Sequence, residues 1–167
     1  MRWNTSSSRK NERSVVMQET ATKAKVDYSL EVRKRIPASR EEVFDAWLNP
    51  KSVEQWMHGG PTMSCRAKID PRIGGSFKID MIAKEKTYEH TGVYKRIERP
   101  KLLEFTWISE GTNQQESVVT IELFDRGEET ELLLKHRLLP SQDEAKGHRD
   151  GWTQIVDKLA RTIAAKQ

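Results

Sequence analysis

The chain has 167 residues, 35% of them hydrophobic and 32% charged, enough for one domain that buries roughly 70% of the surface its unfolded form exposes. Its formal charge of +4 sits at the start: six of the 29 bases and two of the 25 acids fall within residues 1–25, leaving 23 of each from Val26 onward. A balanced body excludes the clustered basic face that nucleic-acid binding needs, no apolar run approaches the roughly 20 residues of a bilayer span, and the single cysteine, Cys65, excludes an internal disulfide.

Residues 1–25 are polar and Ser-rich near their start, without apolar periodicity, and read as a flexible basic tail preceding a domain over 26–167. The lack of a continuous apolar signal core, with one cysteine, makes a reducing cytoplasm the expected compartment. From Val26, apolar Val26, Tyr28, Leu30 and Val32 alternate with Asp27, Ser29, Glu31 and Arg33, which predicts a half-buried strand. Ser39 with Glu42 forms a capping-box pattern ahead of Val43, Phe44, Ala46 and Trp47, and Asn49-Pro50 opens a second short helix carrying Val53, Trp56 and Met57.

Gly59-Gly60-Pro61 breaks the chain. Alternation then places Met63, Cys65, Ala67 and Ile69 on one face of a strand and Phe77, Ile79 and Met81 on one face of the next, joined through the turn at 70–75. Strands are predicted at 87–97, 101–109, 116–125 and 129–138, making seven. Ser141 and Glu144 then announce a long final helix, with Ala145, His148, Trp152, Ile155, Val156, Leu159, Ala160 and Ile163 at helical spacing. Each strand offers one apolar face and the helix one apolar stripe, so the expected α+β arrangement wraps a curved seven-stranded antiparallel sheet around the C-terminal helix.

That order, together with VRKRIPASREEVFDAWLNPKSVEQWM at 32–57, GGP at 59–61, IDPRIGGSF at 69–77, GVYKRI at 92–97, RPKLLEFTW at 99–107, TIEL at 120–123, TELLLKH at 130–136 and HRDGW at 148–152, resembles the bacterial branch of the activator of heat-shock protein 90 ATPase homologue family. This family belongs to the START-like, birch-pollen-allergen-like SRPBCC superfamily, and the resemblance spans residues 28–165. It implies the helix-grip fold and a cavity between sheet and helix. One position departs from the family pattern: Trp-Trp-Gly-Pro is replaced by Trp56, Met57, His58, Gly59, Gly60 and Pro61.

The candidate ligand-binding set is Trp56, Met63, Phe77, Met81, Tyr94, Phe105, Trp107, His136 and Trp152, an apolar and aromatic lining in which Tyr94 and His136 supply the polar points. Alternation alone does not separate a cavity lining from a filled core. No Ser, Cys or carboxylate stands at a spacing that completes a nucleophilic arrangement with His136, so no catalytic residue is assigned. The scattered His58, His90, His136 and His148 predict no metal site, and no cofactor is expected. Gly147 and Gly151 each cost the long helix roughly 1 kcal/mol relative to Ala, which calls for close approach of the 59–61 loop or room for a ligand. The leading expectation is a non-catalytic domain holding a small apolar or amphipathic ligand. The alternatives implied by the resemblance are a co-chaperone that stimulates heat-shock protein 90, and a polyketide cyclase- or aromatase-like enzyme. The pattern is compatible with a monomer or a dimer.

Overall fold

Apolar alternation and turn signals produce the expected strands in the computed structural model, which describes residues 27–167. The tail assigned to 1–25 lies outside the described residues. Strand β1 (Tyr28–Ile36) is followed by helices α1 (Arg40–Leu48) and α2 (Pro50–Trp56), then β2 (Ser64–Ile69), β3 (Ser76–Ile82), β4 (Thr87–Glu98) and β5 (Leu102–Trp107). A 3-10 turn (Glu110–Thr112), β6 (Ser117–Asp125), β7 (Thr130–Leu139) and helix α3 (Gln142–Ala164) complete the chain. One curved sheet has the order β1-β7-β6-β5-β4-β3-β2, antiparallel throughout. The two short helices therefore carry the chain from one sheet edge to the other.

The helix starts follow from their caps. Ser39 Oγ accepts from the Glu42 N–H at 3.2 Å and Ser141 Oγ from the Glu144 N–H at 3.1 Å. The two glutamate carboxylates point elsewhere, Glu42 to the Gln167 side chain and Glu144 toward His148. Asn49 ends α1 through its own N–H to the Asp45 carbonyl and starts α2 by accepting from Lys51 and Ser52. With Pro50 in the first helical turn, one residue makes a sharp corner between two helices.

Helix α3 buries Trp152, Ile155, Val156, Leu159, Ala160 and Ile163, one continuous stripe at 3.6 periodicity, and packs along β1 and against α2. Each large apolar side chain so buried contributes about 1.5–3 kcal/mol. Long strand β4 turns a corner at Gly92 and Val93, where the Val93 N–H is taken up by the Thr106 hydroxyl at 2.9 Å and the register with β5 shifts between Tyr94 and Arg96. A side chain at 92 would overlap both the Thr106 carbonyl oxygen and the Phe77 ring, so only glycine lets β4 cross β5 there.

Met63 departs from its expected inward placement. Its N–H pairs with the Ile82 carbonyl, but its side chain is 64% exposed. β2 is the edge strand, and the cover that buries Cys65 does not reach back to position 63. Substituting Gly92→Ala is expected to destabilise the domain by at least about 2 kcal/mol in urea unfolding, whereas a loss under about 0.5 kcal/mol, the range of ordinary surface changes, would contradict the corner.

Candidate functional site

Three strands and the long helix meet at His136, which is wholly buried on β7 between the sheet and Trp152. The Trp152 Nε1–H donates to His136 Nδ1 at 3.0 Å, so Nδ1 carries a lone pair and the proton resides on Nε2. Nε2–H is then the donor to Ser117 Oγ at 2.7 Å, and the Ser117 hydroxyl donates onward to the Trp107 carbonyl at 2.6 Å. Every polar atom of the relay is satisfied away from water. Burial, and secondarily the neighbouring His148, hold the His136 pKa well below its usual 6.5.

Sequence spacing did not reveal Ser117 beside His136. The pair has the residue types of a nucleophile and its base, but the proton runs the wrong way: His136 donates to Ser117, and both are buried. The relay positions the Trp152 and Trp107 side chains.

The nine candidate residues separate into three groups. Trp56, Phe77, Tyr94 and Phe105, with His136, are in the filled core; the Phe77 ring stands edge-on to Tyr94 and Phe105 at 5.4 Å and to Trp107 at 5.9 Å. Trp56 packs on Trp47 at 4.7 Å and donates its indole N–H to Ser52. Met81, Trp107 and Trp152 reach an open cleft of about 210 Å³, and Met63 lies outside on the surface.

The cleft's remaining walls come from residues outside the candidate set, among them His90, Glu144, His148 and Ile155. His90 was legible: it shares parity with inward-facing Tyr94 on β4. Its ring lies 4.9 Å from that of Trp107, which in turn lies 5.0 Å from Trp152. His90 Nδ1 is buried without a hydrogen-bond partner, although the Ile79 and Tyr88 carbonyls lie near enough to oppose the effect of burial, which pushes the pKa down to about 4.

The floor of the cleft is Gly147 and Gly151, one turn apart on α3. A Cβ built on either would meet nothing within 4 Å; Gly147 is exposed and Gly151 half-buried, so the space beside them opens to solvent. The 58–62 loop also closes on the helix, but it does so through the Gly151 carbonyl and the Gln154 and Lys158 side chains, so close approach is not what requires glycine at 147 or 151. A Cβ on Gly59 would come 3.3 Å from the Gly151 carbonyl. The Gly60 N–H donates to Gln154 at 2.8 Å, and Lys158 donates to the His58 carbonyl at 2.7 Å and to His58 Nδ1 at 2.8 Å.

Cys65 is not a reactive thiol; burial pushes its pKa up to about 11, and Sγ–H points at the Val53 carbonyl. Among the described residues no group of three His, Cys, Asp or Glu converges to hold a metal ion, and no helix is long and apolar enough to cross a membrane.

A family profile described as activator of Hsp90 ATPase homolog 1-like protein matches residues 37–164. No curated protein matches the chain. Among solved structures, protein CV1439 of Chromobacterium violaceum is 20% identical with a TM-score of 0.72, over 80% of this chain and 96% of that one. CalU16 of Micromonospora echinospora is 26% identical with a TM-score of 0.60, over 83% and 77%. PFC0360w, an HSP90 activator from Plasmodium falciparum, is 19% identical with a TM-score of 0.67, over 82% and 96%.

The buried histidines set a pH response. His136 and His90 are neutral in the folded chain and take up a proton on unfolding once the pH drops below the ordinary 6.5. Acid therefore favours the unfolded state, and above that pH both states are neutral and the effect vanishes. Unfolding free energy measured in urea is expected to hold level from pH 8 to 7 and to fall from about 6.5 toward 4, by up to about 1.4 kcal/mol per pH unit per histidine. A flat profile through that window would contradict the neutral relay.

Proposed function

The chain belongs to the activator of Hsp90 ATPase homolog 1-like family, and from that premise we propose that it is a non-catalytic binding domain for a small aromatic molecule held in the cleft over Gly147 and Gly151. The observation that carries this reading is the pair of glycines. A helix interior loses roughly 1 kcal/mol at each relative to alanine, and the space where each side chain would stand is empty rather than filled by the sheet. Had packing alone shaped this surface, alanine or leucine would be the stable choice at both positions.

Size and lining narrow the guest. Apolar cavities of about 150 Å³ accept benzene, so about 210 Å³ suits one or two fused rings. Indole faces from Trp107 and Trp152, with Met81 and Ile155, offer stacking and apolar contact. An enzyme that folds a polyketide chain draws less support, because the Ser117–His136 pair is shut away from the cleft.

The co-chaperone reading keeps a specific observation in its favour, since the family description and one structural neighbour both name activation of Hsp90. It would show as a raised ATP-hydrolysis rate when the chain is added to the chaperone. At 19% identity that neighbour shares the fold, and a shared fold does not transfer an activity.

The binding reading is tested by thermal denaturation with indole in wild type and in Gly147→Leu, whose side chain would occupy the cleft. Wild type is expected to gain stability as indole rises, by about 2.7 kcal/mol at a hundredfold excess over Kd. Gly147→Leu is expected to fold with at least wild-type stability and to lose most of that gain. No stabilisation of wild type, or equal stabilisation of both, would overturn the reading.

A further inference from the structure

The aromatic cleft adjoins a second, outer cleft of about 310 Å³, and the two share His90, Glu144 and His148 as walls. Around the outer space stand Tyr88 and Glu110, and neither cleft has a lysine or arginine in its wall. The polar side chains around the two clefts are the Glu110 and Glu144 carboxylates, the His90 and His148 imidazoles and the Tyr88 and Ser109 hydroxyls, and the carboxylates attract a cation and repel an anion.

The outer cleft already shows how it holds an ammonium. Lys86 Nζ lies 2.7 Å from Glu110 and 4.8 Å from the centre of the Tyr88 ring, pairing a carboxylate with an aromatic face. Glu110 is thereby neutralised. Glu144, on the first turn of α3, has no lysine or arginine partner among the described residues. Its nearest basic group is His148 Nδ1 at 3.7 Å from the carboxylate, and that nitrogen lies closer, at 2.7 Å, to the Glu144 backbone carbonyl. The start of a helix would ordinarily favour an anion, but Asp143 and Glu144 already supply the negative charge there.

We propose that the guest is a protonated arylalkylamine, with its ring between Trp107, Trp152 and the two glycines and its ammonium against Glu144 in the outer cleft. This rests on the reading of the inner cleft as a binding site and adds the sign of the guest's charge. Because Glu144 lines both clefts, a short linker between ring and nitrogen brings the ammonium to it. A fatty acid or an aryl carboxylate meets Glu144 with a like charge, and the Lys86 ammonium beside the outer cleft is already paired with Glu110.

The test is calorimetric titration of the full chain with three probes sharing one ring system: tryptamine, indole and indole-3-acetate, near neutral pH and at low salt. Tryptamine is expected to bind roughly tenfold more tightly than indole, in line with a partly exposed charge-assisted contact, and indole-3-acetate more weakly than either. In Glu144→Gln, which keeps the backbone N–H that Ser141 caps, the ratio of tryptamine to indole affinity should fall to about one. If the acetate binds as well as the amine, or the preference survives in Glu144→Gln, the charge assignment is overturned and the binding site stands. If none of the three probes binds, the binding reading falls as well.

Discussion

The hydrogen-bonded line from the Trp152 indole through His136 and Ser117 to the Trp107 carbonyl is the interaction on which the arrangement of this domain turns. It joins α3 to β7, β6 and β5 through three contacts of 3.0, 2.7 and 2.6 Å. In a desolvated core such a line is stabilising only when complete, because each polar atom left unpaired costs about 1–3 kcal/mol. The tautomer of His136 follows from its neighbours: the indole N–H can only donate, which leaves Nε2 to donate to Ser117. A catalytic assignment for the Ser–His pair fails on that direction of donation.

The same line places both tryptophans that face the cleft. Below it, the core closes on itself as Phe77, Tyr94 and Phe105 meet edge to face, an arrangement that leaves no room for a guest. Above it, α3 presents glycines where a packed helix would present side chains, and the 58–62 loop is pinned to the helix by Gln154 and Lys158. The domain is thus a rigid core carrying one unfilled end. Gly147 and Gly151 cost the helix stability relative to alanine and leave open space beside aromatic rings, the ground on which the binding proposal rests.

The architecture was legible because its signals are local. Alternation of apolar residues marks all seven strands, six of them to within about two residues at their ends, while β1 runs three residues past the alternating stretch to Ile36, and Ser39, Asn49 and Ser141 mark the three helix starts through cap geometry that the structure retains. The site was less legible for a definable reason. Period two tells which face of a strand a residue occupies but not how far along the sheet the covering layer extends, so Met63 was placed inside and is exposed, while Trp56, Phe77, Tyr94, Phe105 and His136 are sealed in the core. His90 has the same parity as Tyr94 on β4, so its inward placement is legible in the sequence, but its stacking on Trp107 is not. Ser117 could not be paired with His136 from the sequence, since they meet only through the β6–β7 register. The glycines at 147 and 151 were the informative signal, because their cost to a helix demanded a spatial cause.

The central claim is that the domain has one sealed aromatic core and one open aromatic cleft, and the indole N–H resonances of the isotope-labelled chain, titrated with unlabelled indole, test it most directly. The expected result is progressive, saturable movement of the Trp107 and Trp152 signals while that of Trp56, buried against Trp47 and bonded to Ser52, holds its position. Saturable movement of Trp56 with Trp107 and Trp152 unmoved, or no movement at all, would contradict it.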